Sequence, residues 1–219
     1  MTRLVITRHG QSLANEQNRF AGHSDFDLSE LGHRQAKMAA EYICKNEKID
    51  VIYSSDLSRA YNTARPTAQM LGMEIIPTEE LREIFAGEWE GLTAHELATR
   101  YEKDFGIWKN NYAFSCPTGG ESTAEVYRRI IKTVKRIAAQ HDGQTVLLST
   151  HATVVRAISA YALGLDETRV GEIPFTHNAS INVFTFEDGE LLPEKLNIIE
   201  HLGDSVTGGH KSFKKEDKQ

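Results

Sequence analysis

Cysteine is scarce in this chain of 219 residues, which carries only Cys44 and Cys116. Two scattered thiols exclude a disulfide framework and a cysteine-based zinc site, and they suit the reduced cytoplasm. Long apolar runs are missing too. The first, Leu4-Val5-Ile6, ends before Arg8 and is too short for the core of a secretory leader, and nothing approaches a membrane-spanning length. Positive charge is in deficit: 25 Lys and Arg against 31 Asp and Glu leave a formal net charge of -6. That balance argues against nucleic acid as a partner, while a local cluster of arginines still suits a small anionic substrate. Internal repeats are absent. His23, His33, His95, His141, His177, His201 and His210 show no metal-ligand spacing, so neither metal nor cofactor is expected.

What is present is enough apolar content, 40%, for one substantial core. Leu4 to Ile6 reads as a buried strand, as do Asp50 to Tyr53, Glu74 to Ile76 and Thr145 to Ser149. Between them run helical patterns. Asp27 with Glu30 predicts a capping box, with Ser29 a rival start, ahead of a helix presenting Leu31, Met38, Ala39 and Tyr42 and running to about Cys44. Ser54-Ser55-Asp56 opens a second helix, bent at Pro66. Ser122 and Glu125 cap a third, carrying Val126, Ile130, Val134 and Ile137, and a fourth carries Val154, Val155 and Ile158. Ile181 to Phe186 and Leu191 to Ile199 form a terminal hairpin. The expectation is an α/β fold, a three-layer α/β/α sandwich on a mostly parallel mixed sheet with an antiparallel edge. Residues 1–207 are expected to form one domain with a lid-like insertion over about 84–117, and 208–219 a disordered, lysine-rich tail.

Chemistry collects where strands end. The first strand runs into Arg8-His9-Gly10, the second is followed by Arg59, and the strand over 145–149 leads to His151. In an open α/β sheet the carboxyl ends of the strands are where ligands bind, and helix amino termini there favour anions. If these strands are neighbours, two arginines and two histidines meet in a pocket suited to a phosphoryl group. Two arginines so close would repel a zinc ion from His9 and His151. They also disfavour a second charge on His9, and a bond from Nδ1–H to a backbone carbonyl would leave the other ring nitrogen with its lone pair free. Glu83 sits among Glu79, Glu80, Glu88 and Glu90, four of which a solvated acidic turn explains.

Thr7-Arg8-His9-Gly10-Gln11-Ser12 with Asn15 resembles the signature of the histidine phosphatase superfamily, the phosphoglycerate mutase-like fold. The resemblance continues through Ser54 to Ala60 with Thr63-Ala64, through Leu81-Arg82-Glu83 with Gly87 and Glu90-Gly91, and through Ser149-Thr150-His151 with Arg156. It implies that His9 is a nucleophile that becomes phosphohistidine. Arg8, Arg59 and His151 would bind the transferring group, and Glu83 would donate a proton, which requires a partly desolvated site. Asn15, Ser12, Gly22 and Ala152 would line the substrate side. Two positions depart from the pattern: Ala21 where many members have glutamine, and Ala152 where glycine is usual.

The segment from Glu83 to Pro117 lacks the Arg-Arg pair of the mutases, and Pro117 to Ser122 is similar to the phosphatases. The expected activity is therefore metal-independent hydrolysis of a small phosphomonoester by a histidine acid-type phosphatase. A cofactor-dependent mutase and a catalytically weak phosphate-binding module are the alternatives. Neither nucleic acid nor membrane is an expected partner. The substrate is not legible, and neither is the oligomeric state, a homodimer being one option. Phe85, Trp89, Tyr101, Phe105, Trp108, Tyr112 and Phe114 are read as core before substrate contacts.

Overall fold

A computed structural model describes residues 1–208. In chain order the elements are β1 (Thr2–Arg8), α1 (Leu13–Glu16), α2 (Glu30–Asn46), β2 (Val51–Ser54), α3 (Ser58–Leu71), β3 (Ile75–Pro77), α4 (Ala94–Arg100), α5 (Glu102–Asn110), α6 (Thr123–Gln140), β4 (Thr145–Thr150), α7 (Ala152–Ala162), β5 (Ile181–Glu187) and β6 (Glu190–Ile198). Short 3-10 turns link several of them. The sheet has six strands in the order β3-β2-β4-β1-β5-β6. β3, β2, β4 and β1 run parallel, while β5 and β6 are antiparallel, so the terminal hairpin supplies the antiparallel edge. The predicted tail falls outside the described residues except for Gly208, which bridges His177.

Alternation along β1 explains the three layers. Leu4 and Ile6 point into a core shared with Val126, Ile130 and Val134 of α6 and Val154 and Ile158 of α7. Val5 points the other way, into a core with Ala39 and Ile43 of α2 and Ala64 and Ala68 of α3. Strands buried on both faces read as continuous apolar runs, as these do. The segment 84–117 belongs to the first core. Trp89, Phe105, Trp108 and Tyr112 are buried in it, whereas Phe85 and Phe114 stay exposed.

Local details differ from expectation at α2. Ser29 is its N-cap, accepting from the Gly32 N–H, and Asp27 instead accepts from Leu28 N–H and Asn62 Nδ2. The buried stripe is Gly32, Gln35, Ala36, Ala39, Ala40 and Ile43, so Leu31, Met38 and Tyr42 are only half-buried. The cause is a close backbone approach. A Cβ on Gly32 would lie 2.0 Å from the Gln11 carbonyl oxygen, and one on Gly10 would lie 2.6 Å from that of Gly32. Two glycines face to face let the loop after β1 rest directly on α2 and rotate that helix inward. At α3 the expected Ser54–Asp56 cap is replaced by Leu57, with no side-chain cap, and the helix continues through Pro66. The capping box of Ser122 and Glu125 forms as expected at α6.

Candidate active site

The register of β2, β4 and β1 brings the three strand ends into one row. Arg8 pairs with Thr150, and Ser54 with Ser149. The ladder runs one residue further on both sides of β4: His9 N–H donates to Thr150 O at 2.8 Å, and Ser55 N–H to Ser149 O at 2.9 Å. His9 and His151 therefore emerge side by side, ring centroids 5.2 Å apart, edge to face. Both rings are buried.

His9 Nδ1 lies 2.6 Å from the carbonyl of Gly10. A carbonyl only accepts, so Nδ1 carries the proton and Nε2 keeps its lone pair. Burial, then the charges of Arg59 and Arg8, hold the His9 imidazole well below its ordinary pKa, with the Gly10 bond opposing them weakly. His151 is held down in the same way, by burial first and then by Arg59 and His9. Its Nε2 meets Ser55 Oγ at 2.8 Å, and its buried Nδ1 has no protein partner. Where Ser55 donates to Nε2, the neutral ring carries its proton on Nδ1, which is then a free donor.

Both arginines are buried, and among the described residues neither meets a carboxylate. Arg8 Nη1 donates to Thr176 O, and Arg59 donates from Nη1 to Ser24 O at 3.0 Å and from Nη2 to Gly22 O at 2.7 Å. Each Nε is buried without an acceptor. Burial pulls both guanidinium groups down to about 10, which leaves them charged at neutral pH, and the largest opposing influence on each is Glu83. Glu83 is half-buried. Its Oε2 accepts from Thr153 N–H at 3.3 Å, in the first turn of α7, and its Oε1 from Ile84 N–H at 3.0 Å. The cluster thus offers a neutral nucleophilic nitrogen, two cations, a neutral N–H donor and one carboxyl group.

The remaining predicted residues take varied positions. Asn15 Oδ1 accepts from Ser12 N–H and from Asn178 Nδ2 at 3.1 Å each. Ser12 is fully buried as the N-cap of α1, its hydroxyl accepting from Asn15 N–H, so its side chain serves the helix. Gly22, at φ +54°, acts through the carbonyl that holds Arg59; a Cβ there would lie 2.5 Å from Glu90 Oε1. Ala152 is the first residue of α7, half-buried beside His151. Arg156 donates to the carbonyls of Ile173 and Gly171, and its guanidinium lies over the rings of Tyr112 and Phe175 at 4.0 and 4.3 Å.

Several supporting residues escaped the sequence reading. Glu90 is no solvated side chain: it accepts from His23 N–H, Ser24 Oγ and Ala86 N–H and shapes the loop whose carbonyls grip Arg59. Ser55 and Thr63 lay within quoted motifs, but nothing local assigns Ser55 to His151 or Thr63 Oγ1 to the Gly10 N–H. Asn178 had no signal at all. Among the described residues, no group of three or more His, Cys, Asp or Glu side chains converges as metal ligands.

A family profile described as histidine phosphatase superfamily (branch 1) matches residues 4–199. Phosphoserine phosphatase 1 of Hydrogenobacter thermophilus is 35% identical over 213 residues, covering 97% of this chain and 100% of that protein. A metal-independent phosphoserine phosphatase of Arabidopsis thaliana is 31% identical over 92% of this chain and 84% of its own length. Among solved structures, mycobacterial glucosyl-3-phosphoglycerate phosphatase complexed with VO3 superposes with a TM-score of 0.82 at 32% identity, covering 89% of this chain and 98% of that one. No described helix is long and apolar enough to cross a membrane.

Proposed function

Because the chain belongs to the histidine phosphatase superfamily, branch 1, we propose that it is a metal-independent phosphatase of the histidine acid type that hydrolyses a small phosphomonoester through phosphohistidine at residue 9. One observation carries the reading. Among the described residues, three buried nitrogens, Arg8 Nε, Arg59 Nε and His151 Nδ1, have no protein partner, and all three belong to residues clustered around His9. Unpaired buried donors are costly and rare, and a tetrahedral anion accepts from all of them at once.

Catalysis then proceeds in two steps. His9 Nε2 attacks phosphorus while the bond to the leaving oxygen breaks, and Glu83 gives that oxygen its proton. Arg8, Arg59 and His151 donate to the equatorial oxygens, whose charge they stabilise most as the bonds to phosphorus loosen. In the second step Glu83, now a carboxylate, takes a proton from water as the water attacks phosphorus. The P–N bond breaks, phosphate leaves, and His9 and Glu83 regain their starting protonation. Asn15 and the amide of Ala152 line the phosphate side, with the loop at Gly22 opposite.

The relatives named as phosphoserine phosphatases make phosphoserine the first substrate to try, followed by other sugar and glycerate phosphates. The unpaired Cys44 and Cys116 support a cytoplasmic site of action, and the acidic net charge favours neither nucleic acid nor a membrane surface as partner. Rapid quenching with a labelled phosphomonoester tests the reading. An acid-labile, alkali-stable label should appear on His9 and disappear in His9→Ala. Neither label nor phosphate release at any pH between about 5 and 8, the range in which histidine ordinarily titrates, would overturn it in favour of a phosphate-binding module.

A further inference from the structure

The turn that enters β5 lies against the peptide of the nucleophile. Asn178 is buried, and its Nδ2 faces three acceptors: His9 O at 3.2 Å, Gly10 O at 3.3 Å and Asn15 Oδ1 at 3.1 Å. The next residue, Ala179, donates its N–H to His9 O at 3.1 Å. Ala179 is fully buried at φ +54°. A left-handed alanine is strained, and such strain persists only where its surroundings over-determine it.

Those surroundings come from residues 201–207 and from α2. Thr207 O accepts from Asn178 N–H at 2.9 Å, and Thr207 Oγ1 donates to Asn178 Oδ1 at 3.3 Å. Gln35, fully buried on α2, donates from Nε2 to Thr207 Oγ1 at 2.9 Å and to Ser205 O at 2.6 Å, while its Oε1 accepts from Gln11 N–H at 2.7 Å. His201 Nε2 donates to Ala179 O at 3.0 Å. The network therefore closes on itself, from Gln11 through Gln35, Thr207 and Asn178 back to His9 and Gly10.

We propose that Asn178 is a positioning residue for the nucleophile: held by Thr207 and Gln35, it orients the Gly10 carbonyl that keeps the proton on His9 Nδ1 and so presents Nε2 for attack. The inference rests on the reading of His9 as nucleophile. It gives the segment 199–208 a part in the chemistry although its described residues supply no group that reacts. Without the Asn178 amide, the Gly10 carbonyl has one partner fewer, and the ring is free to rotate or to change tautomer.

The test joins imidazole 15N spectroscopy of the full chain to rapid-quench phosphorylation by p-nitrophenyl phosphate. Wild type should show a single Nδ1–H tautomer at His9. Asn178→Ala should show a tautomer mixture and phosphorylate about 100-fold more slowly, the scale of a misplaced reacting group. Thr207→Val, which keeps the side-chain shape, should lose about 3–10-fold with the same spectral change, and Thr207→Ser should restore both. If Asn178→Ala does not fold, the two Thr207 variants decide the matter. A fall in melting temperature with tautomer and phosphorylation rate untouched would mean a merely structural turn and would overturn the proposal. Should the tautomer respond as stated while wild type never carries label, the clamp stands and the nucleophile reading fails.

Discussion

Arg8 and Arg59 in the candidate site, and Arg82 and Arg129 around the loop that carries Glu83, are four cations in opposite electrostatic settings. The first two are buried, meet only backbone carbonyls, and leave Nε unfilled. Arg82 and Arg129 are partly exposed and paired with carboxylates. Arg82 is bidentate to Asp56, while Arg129 is bidentate to Glu121 and also donates to the carbonyls of Glu80, Arg82 and Glu83. A guanidinium paired with a carboxylate in this way holds a loop in place. One buried with donors to spare has been placed at a cost to stability, a cost that only an anionic ligand offsets.

The largest effect belongs to the proposed nucleophile: His9→Ala should lower kcat by about 10⁴-fold or more, since no other group replaces it. Arg8→Met sharpens the contrast between the two regions. Turnover should fall by about 10²–10³-fold, the usual loss for one preorganised donor to a developing charge, while the melting temperature holds or rises because an under-paired buried cation is gone. Arg129→Met should do the reverse. It removes five hydrogen bonds from a partly exposed group. After discounting for solvent, a loss of about 2 kcal/mol, or roughly 4–8 °C in Tm, is expected, with kcat within about threefold of wild type because no donor to phosphate is lost. Thermal melts and steady-state kinetics on the same samples check both. A large kcat loss in Arg129→Met at unchanged Tm would break the distinction.

The two regions also differ in how far they could be read beforehand. Arg8, His9, Arg59 and His151 are legible because each follows an apolar run at a strand end, and the strands' adjacency brings them together. Glu83 needed the family context, since five glutamates share its loop and only packing separates them. Glu90 and Arg129 show why: their partners, His23 to Ala86 for one and Glu80 to Glu121 for the other, come from segments with no local pattern linking them. Asn178 is the extreme case, joined to His9 across 169 positions by the antiparallel placement of β5 beside β1. The cap at Ser29 was hidden in another way. Asp27 and Ser29 are equally good oxygen acceptors, and the Gly10–Gly32 backbone contact, visible only in three dimensions, goes with the frame that starts at Ser29.

Acid titration gives the smallest effect and separates the regions by pH. His9 and His151 stay neutral in the fold well below the ordinary imidazole value, and His201 is displaced the same way by burial. An unfolded histidine takes up a proton near pH 6.5. Below that pH the unfolded chain binds more protons than the native one, so the stability these rings contribute is complete above about 6.5 and drains away as the pH falls toward their folded values. Asp56 is held low by Arg82, so its contribution persists until the pH falls below the ordinary aspartate range near 3.9. Melting temperature measured from pH 7.5 down to 3.5 should therefore decline in two windows. His151→Gln should flatten the decline between about 6.5 and 5, and Arg82→Met should leave that window alone and change only the lower one. The phosphorylation rate of wild type should show no limb near pH 6.5, because His9 is already neutral there. Equal slopes in both variants across the upper window would mean that the buried histidines are not what separates the catalytic face from the paired one.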